Sequence, residues 1–159
     1  MQATLEMIHD FLSAKRIAMI GISRNPKDFS DRLFEEFCRQ GYDMVPVNPA
    51  ADEIHARKCF RRLQEIDPPV DAALFMTPPA LTEALIDDCI EAKVPRVWMY
   101  RAGGQGAVSE NAVRRCQQAG IQVVPGECPF MFLRDVGVFH RIHGFVRKIT
   151  GRYPDSAAA

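Results

Sequence analysis

Twenty basic and twenty acidic side chains leave this 159-residue chain without net charge. No global field therefore steers it to nucleic acid or to an anionic membrane, and any anion site must be built locally. Long apolar runs are also missing: the longest stretches are a few residues, against the roughly 20 that a membrane span requires. The opening residues, Met1 to Asp10, carry early acids and no basic region, so they do not read as a secretory signal. Cysteine is sparse and unpaired in pattern. Cys38, Cys59, Cys89, Cys116 and Cys128 form no C-x-x-C pair and are odd in number, which argues against a disulfide or zinc framework and for reduced thiols in a cytoplasmic setting. No Ser/His/Asp order, no paired carboxylates and no metal-ligand spacing stand out, so neither a catalytic group nor a metal is assigned. Asp87-Asp88 falls on a predicted helix, where adjacent residues point different ways, and reads as a solvated face.

What is present is the composition of a soluble globular protein, 47% hydrophobic and 25% charged, long enough for one domain with a proper core. Leu5, Ile8, Phe11 and Leu12 recur at helical spacing and predict an opening amphipathic helix. An apolar strand, Ile17 to Ile20, runs into Gly21-Ile22-Ser23-Arg24-Asn25-Pro26. The following helix is predicted to start near Ser30 as N-cap, to bury Leu33, Phe34 and Phe37, and to stop at Gly41. A second strand spans 42–47. Residues 50–67 read as a variable link with a short helical turn over 60–66. A third strand, 70–76, is continuously apolar, as expected of a parallel strand covered on both faces. Then come a helix over 80–92 with Leu81, Leu85, Ile86 and Ile90 inward, a strand over 96–100, a helix over 108–119 and a fifth strand over 121–124. Strands separated by helices of ten to fifteen residues mean βαβ units with right-handed crossovers. The fold class is α/β, a Rossmann-type doubly wound five-stranded parallel sheet with helices on both faces.

In such a sheet ligands bind beyond the carboxyl ends of the strands, at the point where the strand order reverses. Four segments meet that edge: Gly21 to Pro26, Asn48-Pro49, Thr77-Pro78-Pro79 and Tyr100 to Gly106. One loop rich in turn residues would mean little; four on one edge favour a cleft. Gly21 lets backbone approach a ligand closely. Ser23 can offer a hydroxyl and an N–H to a phosphate oxygen, and Arg24, Lys27 and Arg32 add positive charge. Asp28 and Asp31 weaken that local field. Proteins that bind NAD usually place an acid at the end of the second strand to grip the ribose diol. Asn48 stands there instead, and a neutral amide does not repel a phosphorylated ribose.

These segments, Ile17 to Pro26 and Gly41 to Pro49, together with Val70-Asp71, Thr77-Pro78-Pro79, Val97-Trp98-Met99 and Ala119 to Val124, resemble the small CoA-binding proteins related to the nucleotide-binding domain of the succinyl-CoA synthetase alpha subunit. The resemblance runs in order over about residues 5–130. It implies a CoA site in which Gly21, Ile22, Ser23 and Arg24 hold the diphosphate, with Asn25, Lys27 and Ser30 completing that loop. Asn48 would face the adenosine portion, and Thr77, Pro78, Tyr100 and Arg101 would line the opposite wall. The ligand implied is CoA or an acyl-CoA, with NADP or NAD as the alternative. The glycine-flanked histidine loop that carries phosphate in the synthetases is missing. The expectation is therefore a binding protein without autonomous catalysis; the alternatives are an NADP- or NAD-binding regulator or enzyme fragment, or a CoA-binding partner subunit of a split acyl-CoA synthetase.

Beyond a CoA-binding domain over 1–128, residues 129–153 read as a C-terminal helical extension and 154–159 as a disordered tail. Val138, Ile142, Phe145, Val146 and Ile149 recur at helical spacing and would pack on the domain or on a partner, a second copy or a synthetase-like subunit. His140 and His143 lack a third ligand and read as surface or interface histidines. Cys128, next to Glu127 and Pro129, could form a mixed disulfide with CoA; a buried inert thiol is the simpler reading.

Overall fold

The computed structural model describes residues 2–102 and 104–133. Five parallel strands form the central sheet: β1 (Arg16–Ile20), β2 (Asp43–Val47), β5 (Ala72–Phe75), β6 (Arg96–Met99) and β7 (Gln122–Pro125). Their spatial order is β2-β1-β5-β6-β7, the doubly wound order in which the chain leaves β1 in one direction and later returns to its other side. Register is continuous across the centre, with Ala18 opposite both Val45 and Ala73. A small antiparallel hairpin, β3 (Glu53–Ile54) and β4 (Arg57–Lys58), stands apart from the sheet.

The period of two along the strands divides the core in two. Ile17, Met19, Ala72, Leu74 and Trp98 pack under α1 (Leu5–Leu12) and α2 (Phe29–Arg39). Ala18, Ile20, Val45, Ala73, Phe75 and Val97 pack under α3 (Pro79–Glu91) and α4 (Glu110–Gln118). The capping residues follow from side-chain chemistry: Thr4 Oγ1 accepts the Met7 N–H at 3.3 Å, and Ser109 Oγ accepts that of Ala112 at 3.2 Å. Trp98 is fully buried, donates Nε1–H to the Gly126 carbonyl at 2.7 Å, and meets the Phe11 ring edge-on at 5.2 Å. Asp10 adds a paired contact to Arg96 at 2.6 Å.

Several expectations shift. The cap of α2 is Asp28, and Ser30 lies one residue inside the helix with its hydroxyl turned back to the preceding loop. The link after β2 contains the β3–β4 hairpin, and the helical turn in it shortens to Leu63–Glu65. Leu81 is not inward: it is 46% exposed, because it sits in the first turn of α3, beyond the end of the sheet. Nor is Asp87-Asp88 simply solvated, since Asp87 pairs with Arg115 and Asp88 accepts from Arg62 at 2.8 Å. Four of the five cysteines are buried, and Cys38 is partly exposed. Of the extension expected over 129–153, Pro129–Met131 forms a 3-10 turn and Leu133 is buried in the domain core; the rest, with His140, His143 and the tail, lies outside the described residues. No helix among the described residues is long and apolar enough to cross a membrane.

Two outcomes test this core. Trp98→Ala should lose about 3–5 kcal/mol, as large-to-small core changes do. Trp98→Phe should cost about 1–2 kcal/mol, for stripping the donor from the Gly126 carbonyl. Both are read from urea midpoints. At the start of β1, the Arg16 N–H hydrogen bond holds the Asp71 carboxyl below its ordinary value; burial opposes this and the Lys15 N–H adds to it. A carboxyl lowered by folding stabilises above its unfolded pKa, and the contribution fades as pH falls through the lower folded one. Stability should therefore decline on acidification below about pH 4, and Asp71→Asn should flatten part of that decline in urea titrations.

Candidate functional site

The cleft begins where β1 and β5 end side by side. Gly21 follows β1 with φ +83°, donates its N–H to the Val47 carbonyl at 3.1 Å, and has no room for a side chain. A Cβ there would lie 2.5 Å from Thr77 Cγ2. Glycine is thus required for conformation and for proximity at once. Thr77 is buried and shares a hydrogen bond with the buried Thr82 hydroxyl at 2.7 Å, which fixes its methyl against Gly21. Pro78 caps α3 and Pro79 occupies its first turn, where a missing N–H costs nothing.

From Ile22 to Asp28 the loop is bound to itself. Ser23 donates its N–H to Ser30 Oγ at 3.0 Å, Asn25 donates its N–H to Ser23 Oγ at 3.1 Å, and Lys27 donates to Asn25 Oδ1 at 3.1 Å. Asp28 accepts from the Ser23 hydroxyl and, at 3.1 Å, from the Asn25 amide. The two Ser23 donors considered for a phosphate are therefore engaged within the loop. Among the described residues, the backbone N–H groups of Ile22 and Arg24 have no protein acceptor. Arg24 is exposed and reaches the Ala50 carbonyl at 3.2 Å, so it spans from the first loop to the second.

Asn48 ties those loops together more firmly. Its Nδ2 donates to the Ile22 carbonyl at 2.9 Å, and its Oδ1 accepts the Ala50 N–H at 2.9 Å. On the far side, Tyr100 is half-buried, with its ring 5.0 Å from that of Phe29. Burial, with a smaller contribution from Cys128, pushes its hydroxyl up to about 12. Arg101 is exposed, donates its N–H to the Glu127 carbonyl at 3.1 Å, and lays its guanidinium beside Gly126. Gly106 turns back at φ +56° against the Tyr100 carbonyl. Cys128 is buried behind this wall.

Two cavities meet at Thr77. One, of about 300 Å³, lies between the ends of β1 and β2 and the start of α3, and is lined by Gly21, Val47, Asn48, Pro49, Leu63, Leu81 and Leu85, with Arg61 and Asp88 at its polar side. The other, of about 430 Å³, is lined by Asp28, Phe29, Ser30, Met76, Pro78, Tyr100 and Gly106. Gly21, Ser30, Asn48, Thr77, Pro78 and Tyr100 thus border one cavity or the other. Ser23, Arg24, Asn25 and Lys27 form the loop beside them, Ile22 is buried beneath it, and Arg101 stands next to Tyr100. Sequence reasoning missed Leu63, Leu81 and Leu85 as wall. A leucine in the first turn of a helix that follows a Pro-Pro strand end was the available signal, because that turn projects past the sheet.

This arrangement defines a doubly wound α/β protein with a divided cleft at the switch point. A family model described as CoA binding domain matches residues 15–134, and the chain belongs to that family. An uncharacterised Bacillus subtilis protein, YneT, is 30% identical over 115 residues, covering 72% of this chain and 82% of its own. The alpha subunit of an ADP-forming acetate–CoA ligase II from Pyrococcus furiosus is 30% identical over 98 residues, 61% of this chain but 21% of that subunit. The structure of a hypothetical protein from Pyrococcus horikoshii superposes with a TM-score of 0.72 at 26% identity, covering 78% of this chain and 85% of that one.

The Gly21–Thr77 contact yields a double-mutant test. Gly21→Ala should destabilise by about 2 kcal/mol or more, from left-handed strain and the clash together. Thr77→Ser removes the clashing methyl and keeps the hydroxyl for Thr82. The pair should recover part of the loss, and simple additivity in urea unfolding would contradict the geometry.

Proposed function

We propose that the chain binds CoA or an acyl-CoA as a carrier or sensing module, without a reaction of its own. The observation that carries this reading is the divided cleft at the β1/β5 switch point in a chain whose family is the CoA binding domain. In it, a diphosphate would sit against the Arg24 N–H, with the Arg24 and Lys27 charges beside it. The apolar cavity of Leu63, Leu81 and Leu85 suits a flat base, and the exposed Leu81 becomes an economical place to bury apolar surface. Thr77, Pro78 and Tyr100 would border the rest of the cofactor. The side chains at the cleft offer hydrogen bonds and apolar area. Tyr100, with its hydroxyl pushed up to about 12, is a poor general base near neutrality.

A second reading has its own observation. The match to a ligase alpha subunit fits a chain that supplies the CoA-binding part of a split acyl-CoA synthetase, completed by a separate subunit. The part of the chain after Leu133 would then meet a partner or a second copy, in the cytoplasm. Co-purification with a larger subunit that confers acyl-CoA synthesis would favour this reading over a stand-alone module.

Calorimetry with CoA, dephospho-CoA, NADP and NAD is the direct test. CoA should bind at least tenfold more tightly than NAD, and Leu81→Ala and Asn48→Ala should each weaken CoA several-fold. Preferred binding of NAD, unaffected by Asn48→Ala, would overturn the proposal.

A further inference from the structure

The β3–β4 hairpin brings together three side chains that the cleft does not use. Asp31 and Glu35 stand one turn apart on α2, and their carboxylates flank the His55 ring. His55 Nε2 lies 2.7 Å from Asp31 Oδ1, and Nδ1 lies 3.7 Å from Glu35 Oε1. One donor atom from each of the three falls within 4.8 Å of the others.

Three features set this cluster apart from a surface ion pair. First, Asp31 has a side chain only 6% exposed, and among the described residues the ion-pair partner of both carboxylates is His55. The nearby guanidinium of Arg57 is turned away, to Asp43 at 3.2 Å and the Met44 carbonyl at 3.3 Å. Two negative charges therefore share one imidazole, and the group as a whole has room for added positive charge. Second, the imidazole is held in place. His55 and Ala56 form the two-residue turn of the hairpin, both in the left-handed region at φ 51° and 55°, as such turns require. The His55 ring stacks on the buried Phe34 at 5.3 Å, nearly parallel. Third, the cluster is open to ions, since the Glu35 side chain is 61% exposed and that of His55 27%.

We propose that Asp31, Glu35 and His55 form a binding site for a divalent transition-metal ion of the zinc class. One imidazole with two carboxylates suits Zn²⁺ or its neighbours, whereas Ca²⁺ and Mg²⁺ take all-oxygen sets. Bonds of about 2.0–2.2 Å place neighbouring donor atoms about 3–4 Å apart; Asp31 Oδ1, now 2.7 Å from Nε2, would move away from it, and Glu35, which faces Nδ1 at 3.7 Å, would swing to the ring nitrogen that takes the ion. The ion would replace the His55–Asp31 hydrogen bond, pin the hairpin to α2, and keep its remaining positions for water. Sequence spacing hid this site, because Asp31 and His55 are 24 residues apart and only the hairpin turn unites them. The inference does not depend on what the cleft binds.

The test uses the tag-free full chain and ZnCl2, in competition with a chromogenic chelator at pH 7.5. The expected result is one Zn²⁺ per chain, weakened at least tenfold by His55→Gln and by Glu35→Gln and unchanged by Cys38→Ser. Both weakening substitutions are at accessible side chains, and circular dichroism with a retained cooperative urea transition would show that each variant is folded. MgCl2 should not compete at a hundredfold excess. With Co²⁺ as probe, the absorption should lack a thiolate charge-transfer band, and His55→Gln should abolish the visible spectrum. No stoichiometric Zn²⁺ binding, binding indifferent to His55→Gln, or a thiolate band would each overturn the proposal.

Discussion

The close approach of Gly21 to Thr77 is the constraint around which the cleft is built. β1 pairs with β2 on one side and β5 on the other, and the connections leaving β1 and β5 pass to opposite faces of the sheet, α2 to one and α3 to the other. The strand ends must diverge there, yet the Thr77 methyl fills the space where a side chain at position 21 would stand. A side chain at position 21 would force them apart. Thr77 is held from behind by Thr82, so the contact is rigid on the α3 side and conformationally specialised on the Gly21 side. The division of the cleft into two cavities follows, since Thr77 is the ridge they share.

Loops at the ends of strands are ordinarily the least determined parts of a fold. Here they are cross-braced by polar side chains, and within the first loop these cost little to order because each bond spans at most seven residues. Ser23, Asn25, Asp28 and Ser30 satisfy one another, and Asn48 and Arg24 join this loop to the next. The bracing consumes the Ser23 donors and leaves the Arg24 N–H, at an exposed residue, without a protein acceptor among the described residues. Preorganisation of this kind would reduce the ordering cost for any ligand the loop receives.

The architecture was legible because its signals are local and redundant. Continuous apolar strands such as Ala72 to Phe75, helices ended by Gly41 and Gly120, and regular βαβ spacing all point one way. The four loops of the cleft were legible for the same reason, since sheet topology alone places Gly21, Asn48, Thr77 and Tyr100 on one edge. What the sequence concealed depends on distance in space. Leu81 obeys helical periodicity yet projects past the sheet. The His55 turn lacks the glycine or asparagine that usually marks a two-residue hairpin, so β3 and β4 went unseen. Ser30 is a good capping residue by type, but Asp28 begins the helix, because the Ser30 hydroxyl serves the Ser23 N–H instead.

Asn48 shows how far a single residue type can carry a functional argument. Read from sequence, its neutrality bears on the ligand, since it neither grips a ribose diol as a carboxylate would nor repels a ribose phosphate. In the structure that neutrality also serves the fold. The amide donates to one loop and accepts from the other, a dual role that Asp could not fill, because its carboxylate would lose the donor and set a negative charge against the Ile22 carbonyl. The same amide therefore closes the β1–β2 corner of the cleft and removes the acidic group on which diol recognition depends. Under the proposed CoA reading, ligand preference at this corner would follow from how the loops are joined, and a variant that placed an acid there would first have to rebuild the junction.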